Sequence, residues 1–174
     1  MRLLTTLFRR TGTSLAMGQR VFPPAALEAI AKVIAQGETT HDAEIKLIIE
    51  VARCRPVRSH GNSHNYGKIS ATRVRANQLF ADYRIWDTET NCGVLVYLNL
   101  ADRKVEIVAD RDVNRALSTA DWHAVCRCMA DGFKAGRYHE SVLTALHDLN
   151  DRLTQRYPTR LSLHEHIPEA PILL

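Results

Sequence analysis

Asp42, Glu44, Asp87, Glu89, Asn91, Asp110 and Asp112 fall in three clusters, each beside a stretch patterned as a β-strand. Such side chains offer only oxygen. Oxygen donors on loops suit hard cations: calcium takes about 6–8 of them, and magnesium a tighter octahedron. Glu44, Asp87, Asn91, Asp110 and Asp112 are therefore the candidate metal ligands, for Ca2+ or Mg2+. No EF-hand spacing is present. The plainer reading leaves these acids solvated or capping helices.

Other residue types point to other chemistry. His60 with His64, and His164 with His166, have the composition of a Zn2+ or Ni2+ site. No further ligand stands at a fixed spacing, so exposed polar histidines are the simpler reading. Cys126 and Cys128 are two apart on a predicted helix, roughly 200° around its axis, and cannot chelate together. Cys126 reads as a core thiol. Cys92 has no histidine base near it in sequence. Arg53, Arg55 and Arg58 form a candidate anion-binding set. They lie in residues 53–75, which hold five arginines and a lysine and no acid, as residues 1–20 hold four arginines and no acid. The remainder is net acidic, although the whole chain carries +4. Such basic segments face phosphate groups, RNA or acidic lipid, or are merely solvated. Only Tyr66 interleaves the second one, which disfavours a stacking platform for single strands and any specific nucleic acid.

Positioning these groups falls to the elements between them. Pro23 and Pro24 suit the first turn of a helix carrying Leu27, Ile30, Ala31 and Ile34, with Gly37 as its stop. Residues 44–52 alternate as a strand. Residues 53–69 are turn-rich and read as a long loop. Ser70 caps a helix over 71–86, with an apolar stripe of Ala76, Leu79, Phe80, Tyr83 and Trp86. Residues 93–100 are nearly all apolar and predict a central strand. Gly93 relaxes the turn into it or permits a close backbone approach. A tight turn leads to an antiparallel strand over 104–110. Ser118 and Asp121 resemble a capping box ahead of a helix bearing Trp122, Val125, Cys126, Met129 and Phe133, which Gly136 ends. A last helix spans 138–156.

The β-α-β crossover makes the first two strands parallel. The fold class is α/β, a three-layer α/β/α sandwich with a small mixed sheet. In that topology the acids gather at the N-terminal end of the parallel strands. The basic loop leaves the other end, about 30 Å away for a strand of nine residues. The domain is then bipolar.

The stretch WDTETNCGVLVYLNLADRKVEIVADRDV, with the later FKAGRY, resembles the TPM domain family over about residues 22–156. The resemblance implies an α/β/α sandwich and a divalent-metal site. Members include thylakoid-lumen proteins described as acid phosphatases, proteins tied to photosystem repair, receptor auxiliaries and calcium-binding bacterial proteins. Many carry a glycine-rich turn where this chain has Ala109-Asp110-Arg111-Asp112-Val113, and the loop 53–69 has no evident counterpart.

Length and composition fit one domain. The chain has 174 residues, 45% apolar and 24% charged, enough for a single core. The expected organisation is a basic arm over 1–21, one domain over 22–157 and a tail over 158–174. No apolar run reaches the length of a membrane span. Four scattered cysteines suit a reducing compartment, and the N-terminal stretch is too short for a signal-peptide core. A cytoplasmic location is expected, with that stretch able to rest on a membrane surface. No Walker or dinucleotide glycine pattern occurs. The leading expectation is a calcium-binding accessory domain for a protein partner at or near a membrane. The alternatives are a metal-assisted phosphate-ester hydrolase with Asp110 or Asp112 as base, and anion or nucleic-acid binding through the basic segments alone.

Overall fold

A computed structural model describes residues 16–54, 69–159 and 170–174. The described chain begins in a helix, α1 (residues 16–21), and Phe22 then inserts fully into the core. Pro23 holds the extended N-cap conformation and Pro24 opens α2 (Pro24–Glu38). The order continues β1 (Glu44–Glu50), α3 (Ala71–Asp82), β2 (Gly93–Asn99), β3 (Lys104–Ala109), α4 (Arg111–Ala116), α5 (Thr119–Lys134), α6 (Tyr138–Arg156) and β4 (Ile172–Leu173).

The sheet runs β3-β2-β1-β4, with β1 parallel to β2 and β4, and β2 antiparallel to β3. The α/β/α sandwich with a mixed sheet is thus the observed architecture. Every residue of β2 is buried, as a central strand covered on both faces requires. The two covers are unequal. Ile45, Leu47, Ile49, Val94, Val96 and Leu98 face the main core shared with α2, α5 and α6. On the other face a small cluster of Ile48, Ala76, Leu79, Ile85, Leu95 and Tyr97 seats α3.

Several elements differ from the sequence pattern. α3 stops at Asp82, because Arg84 takes a left-handed backbone (φ 51°). Tyr83 and Trp86, expected on the core stripe, are instead exposed, and the Arg84 guanidinium lies 5.9 Å over the Trp86 ring. Ile85 fills the core position in their place. α4 was not expected. Asp110 accepts from the Arg111 N–H at 2.7 Å and starts it. The stretch expected as a tail ends in β4, where Leu174 donates to Ile49 O (2.7 Å) and accepts from Val51 N–H (3.1 Å). Two strand residues are too few for any periodicity to declare. The capping box at Ser118 and Asp121 forms as expected. No described helix is long and apolar enough to cross a membrane.

Candidate functional site

Sheet register decides which acids meet. Glu44 pairs with Gly93, and Val94 with Ala109, so the starts of β1 and β2 and the end of β3 share one edge. Backbone bonds lace it: Glu44 N–H to Cys92 O (3.1 Å), Asp110 N–H to Gly93 O (2.9 Å) and Asp112 N–H to Asn91 O (3.3 Å). Asn91 sits in the left-handed region at φ 53°, which asparagine tolerates better than most residues. Gly93 is required by close approach: a Cβ there would stand 1.8 Å from the Ile85 carbonyl oxygen.

Glu44, Asn91, Asp110 and Asp112 are therefore brought to one edge. Asp112 pairs with Arg115 at 3.2 Å on the exposed face of α4. Asp87 turns to Arg84, 2.8 Å away, on an exposed turn. Tyr157, the residue just past α6, belongs to this edge and was missed. Burial raises its phenol, a hydrogen bond with Thr90 lowers it, and the charges of Cys92, Asp112 and Asp42 raise it further. Asp42, one of the edge acids but not among the candidate ligands, thus acts with Asp112 to raise the Tyr157 phenol. Nothing in sequence spacing ties a residue after the last helix to the first strand. The donors at this edge are carboxylate, amide and phenol oxygens, a set that fits a hard cation and not zinc. Among the described residues, no three His, Cys, Asp or Glu side chains form a ready metal cage.

The opposite end of the sheet carries a polar cluster that the sequence did not announce. Glu50 ends β1. It accepts from the Tyr97 hydroxyl at 2.5 Å and from Arg75 through Nε (3.2 Å) and a terminal nitrogen (3.0 Å). Asn99 donates to Tyr97 Oη (3.0 Å), Ala52 O (2.9 Å) and Cys54 Sγ (3.3 Å), and accepts from Asp102 N–H (2.8 Å). Asp102 in turn accepts from Cys54 N–H at 2.9 Å. Arg53 is the one candidate anion ligand among the described residues. It is exposed, 3.4 Å from Asp102. Arg55, Arg58, His60, His64, His164 and His166 lie outside the described residues. The two ends are about 20 Å apart along the seven residues of β1, shorter than the sequence suggested.

The cysteines are free thiols. Burial pushes the Cys126 thiol up to about 11 and raises Cys54 and Cys128 as well, so these three stay protonated at neutral pH.

A family model described as TPM domain matches residues 19–152. No curated protein sequence matches the chain. Among solved structures, an NMR structure of BA42 protein from the psychrophilic bacterium Bizionia argentinensis is similar, with a TM-score of 0.69 and 19% identity, covering 86% of this chain and 92% of that one. At that identity the likeness concerns the fold.

Proposed function

The chain belongs to the TPM domain family, and from that premise we propose that it is a non-catalytic accessory domain binding a divalent cation, calcium before magnesium, at the N-terminal edge of its parallel strands. The observation that supports this is the sheet register that brings Glu44, Asn91 and Asp110 to one edge, where the Asn91 carbonyl also holds the Asp112 backbone. Asp42, Asp112, Asn91, Glu44 and Asp110 are the residues that would hold the ion. Bound there, the cation would neutralise clustered carboxylates and fix the loops that carry them. With only part of the ligand set preformed, the affinity belongs to a site that orders on loading. The Asp112–Arg115 pair is no obstacle, since exposed pairs contribute about 0–1 kcal/mol.

The far end would meet the partner. Arg53, leading into a basic segment, suits an acidic protein or lipid surface. Four free thiols favour a reducing compartment for this work, the cytoplasm.

A thermal melt with Ca2+, Mg2+ or EDTA tests the cation site. A ligand that binds only the folded state at ~100 times its Kd adds about 2.7 kcal/mol. Calcium is expected to raise the melting temperature more than magnesium, and Asp112→Asn to reduce that rise. No shift at millimolar calcium overturns the reading. Metal-dependent turnover of a phosphate monoester would replace it with the hydrolase.

A further inference from the structure

The two outer strands of the sheet are treated differently. Among the described residues, β4 lies along β1, whereas no strand lies beyond β3. The β2–β3 ladder uses the even-numbered residues of β3, in phase with Asp110, which donates to Gly93 O. The alternation of an antiparallel pair then turns the N–H and C=O groups of Val105, Ile107 and Ala109 outward. The Arg73 guanidinium covers one of these groups, the Ile107 carbonyl. Among the described residues, no hydrogen bond reaches the outward N–H groups of Val105, Ile107 and Ala109. Their side chains are only part-buried, at the rim of the main core. A six-residue strand with an open ladder and apolar rim is a template for another strand.

We propose that β3 is the contact surface for a second copy of this chain, added antiparallel about Ile107. Charge and strand length together select the register, and the charge match selects a second copy as the occupant. A two-fold axis normal to the sheet must pass midway between one residue and its own copy. Centring on Glu106 would set Glu106 against Glu106, and centring on Val108 would set it against Asp110. Centring on Ile107 uses the whole strand. It pairs Val105 with Ala109 and Glu106 with Val108, and it sets Lys104 opposite Asp110 at both ends. Ile107 then exchanges both its backbone hydrogen bonds with its copy, and Arg73 releases the carbonyl while remaining beside Glu106, 3.8 Å away. The two four-stranded sheets become one continuous sheet. Because the strands run oppositely, the acidic edge of each copy comes beside the hairpin end of the other.

The test is sedimentation of the full chain from about 1 μM to about 1 mM, a range that spans weak to moderate association. Wild type is expected to pass from monomer to dimer. Lys104→Glu changes an exposed residue and creates two acid–acid pairs. It is expected to raise the dimer Kd at least about tenfold. Ala109→Pro removes an outward N–H and leaves the bonds to β2 in place, so it is expected to abolish the dimer. Circular-dichroism melts establish that each variant is folded, and Lys104→Glu keeps the test decisive if the proline variant is not. A chain monomeric throughout overturns the proposal, as does a dimer that a folded variant leaves at the wild-type Kd.

Discussion

Glu38 closes α2 with its carboxylate buried and accepting the Ile45 N–H at 2.8 Å, on the side of β1 that faces away from β2. Burial raises its pKa from 4.5 to about 7, against the Ile45 hydrogen bond and Lys46, with Glu44 adding to the rise. The folded state therefore holds a proton that the unfolded chain has lost. That contribution is full below about pH 4.5 and vanishes as pH rises through about 7, on the order of 3 kcal/mol in all. His41, buried against Asn150 at 3.2 Å, works the other way. Burial lowers its imidazole below the ordinary 6.5, so its contribution is full above that pH and is lost as pH falls. Glu38→Gln keeps a carbonyl acceptor and removes the charge. It is expected to gain about 2 kcal/mol at pH 8 and to unmask the His41 dependence, a stability that climbs as pH rises toward about 6.5 and is level above it, read by urea unfolding. Equal pH dependence in both proteins would exclude Glu38 as the titrating group. Residues were legible where strand register alone positions them, as for Glu44, Asn91 and Asp110. Trp86 and Tyr157 were not. One was released by a single left-handed residue, and the other was placed by the packing of α6 against the rest of the fold.

Ser118 and Asp121 tie α5 to α6. Ser118 Oγ accepts from the Asp121 N–H at 3.3 Å, and Asp121 answers the Ser118 N–H at 2.9 Å while meeting Arg152 and Arg156, each at 2.5 Å. These bonds, led by the Ser118 hydroxyl, hold the Asp121 carboxyl at about 2. Ser118→Ala should cost about 1 kcal/mol through the lost cap, measured as a lower urea midpoint with an unchanged slope. Gly93→Ala belongs to the junction between α3 and β2. A methyl 1.8 Å from a backbone carbonyl has no flexible neighbour to displace, so a loss of about 3 kcal/mol or more is expected. A folded, wild-type-like melt for this variant would mean that the Ile85 turn adapts. Capping boxes and long amphipathic helices were readable because their signals are local. α4 and β4 were not, since a six-residue helix and a two-residue strand exist only through the neighbours they complete.

For the molecule as a whole, strand direction was legible, and it fixes which loops leave which end. The acidic edge and Arg53 lie about 20 Å apart, more than two Debye lengths at ~8 Å in physiological salt. Arg53→Glu is accordingly expected to leave calcium affinity within about twofold by calorimetry at that ionic strength. A larger change would mean that the two ends communicate through the sheet. The unequal covering of the sheet carries a different consequence, for the order in which the molecule comes apart. α6 is notched into its neighbours at Gly37, against Asn150, and at Gly132, against Ser141. α3 rests on a six-residue cluster. Native-state hydrogen exchange should therefore divide into tiers. Amides of α6, β1 and β2 should exchange only on global unfolding, and those of α3 through a cheaper opening that leaves the main core intact. Amides near the end of β4 should exchange first. Such an opening would detach Arg75 from Glu50 and free the cluster around Cys54. The rarest exposed thiol chemistry of this protein would then be timed by the breathing of one helix.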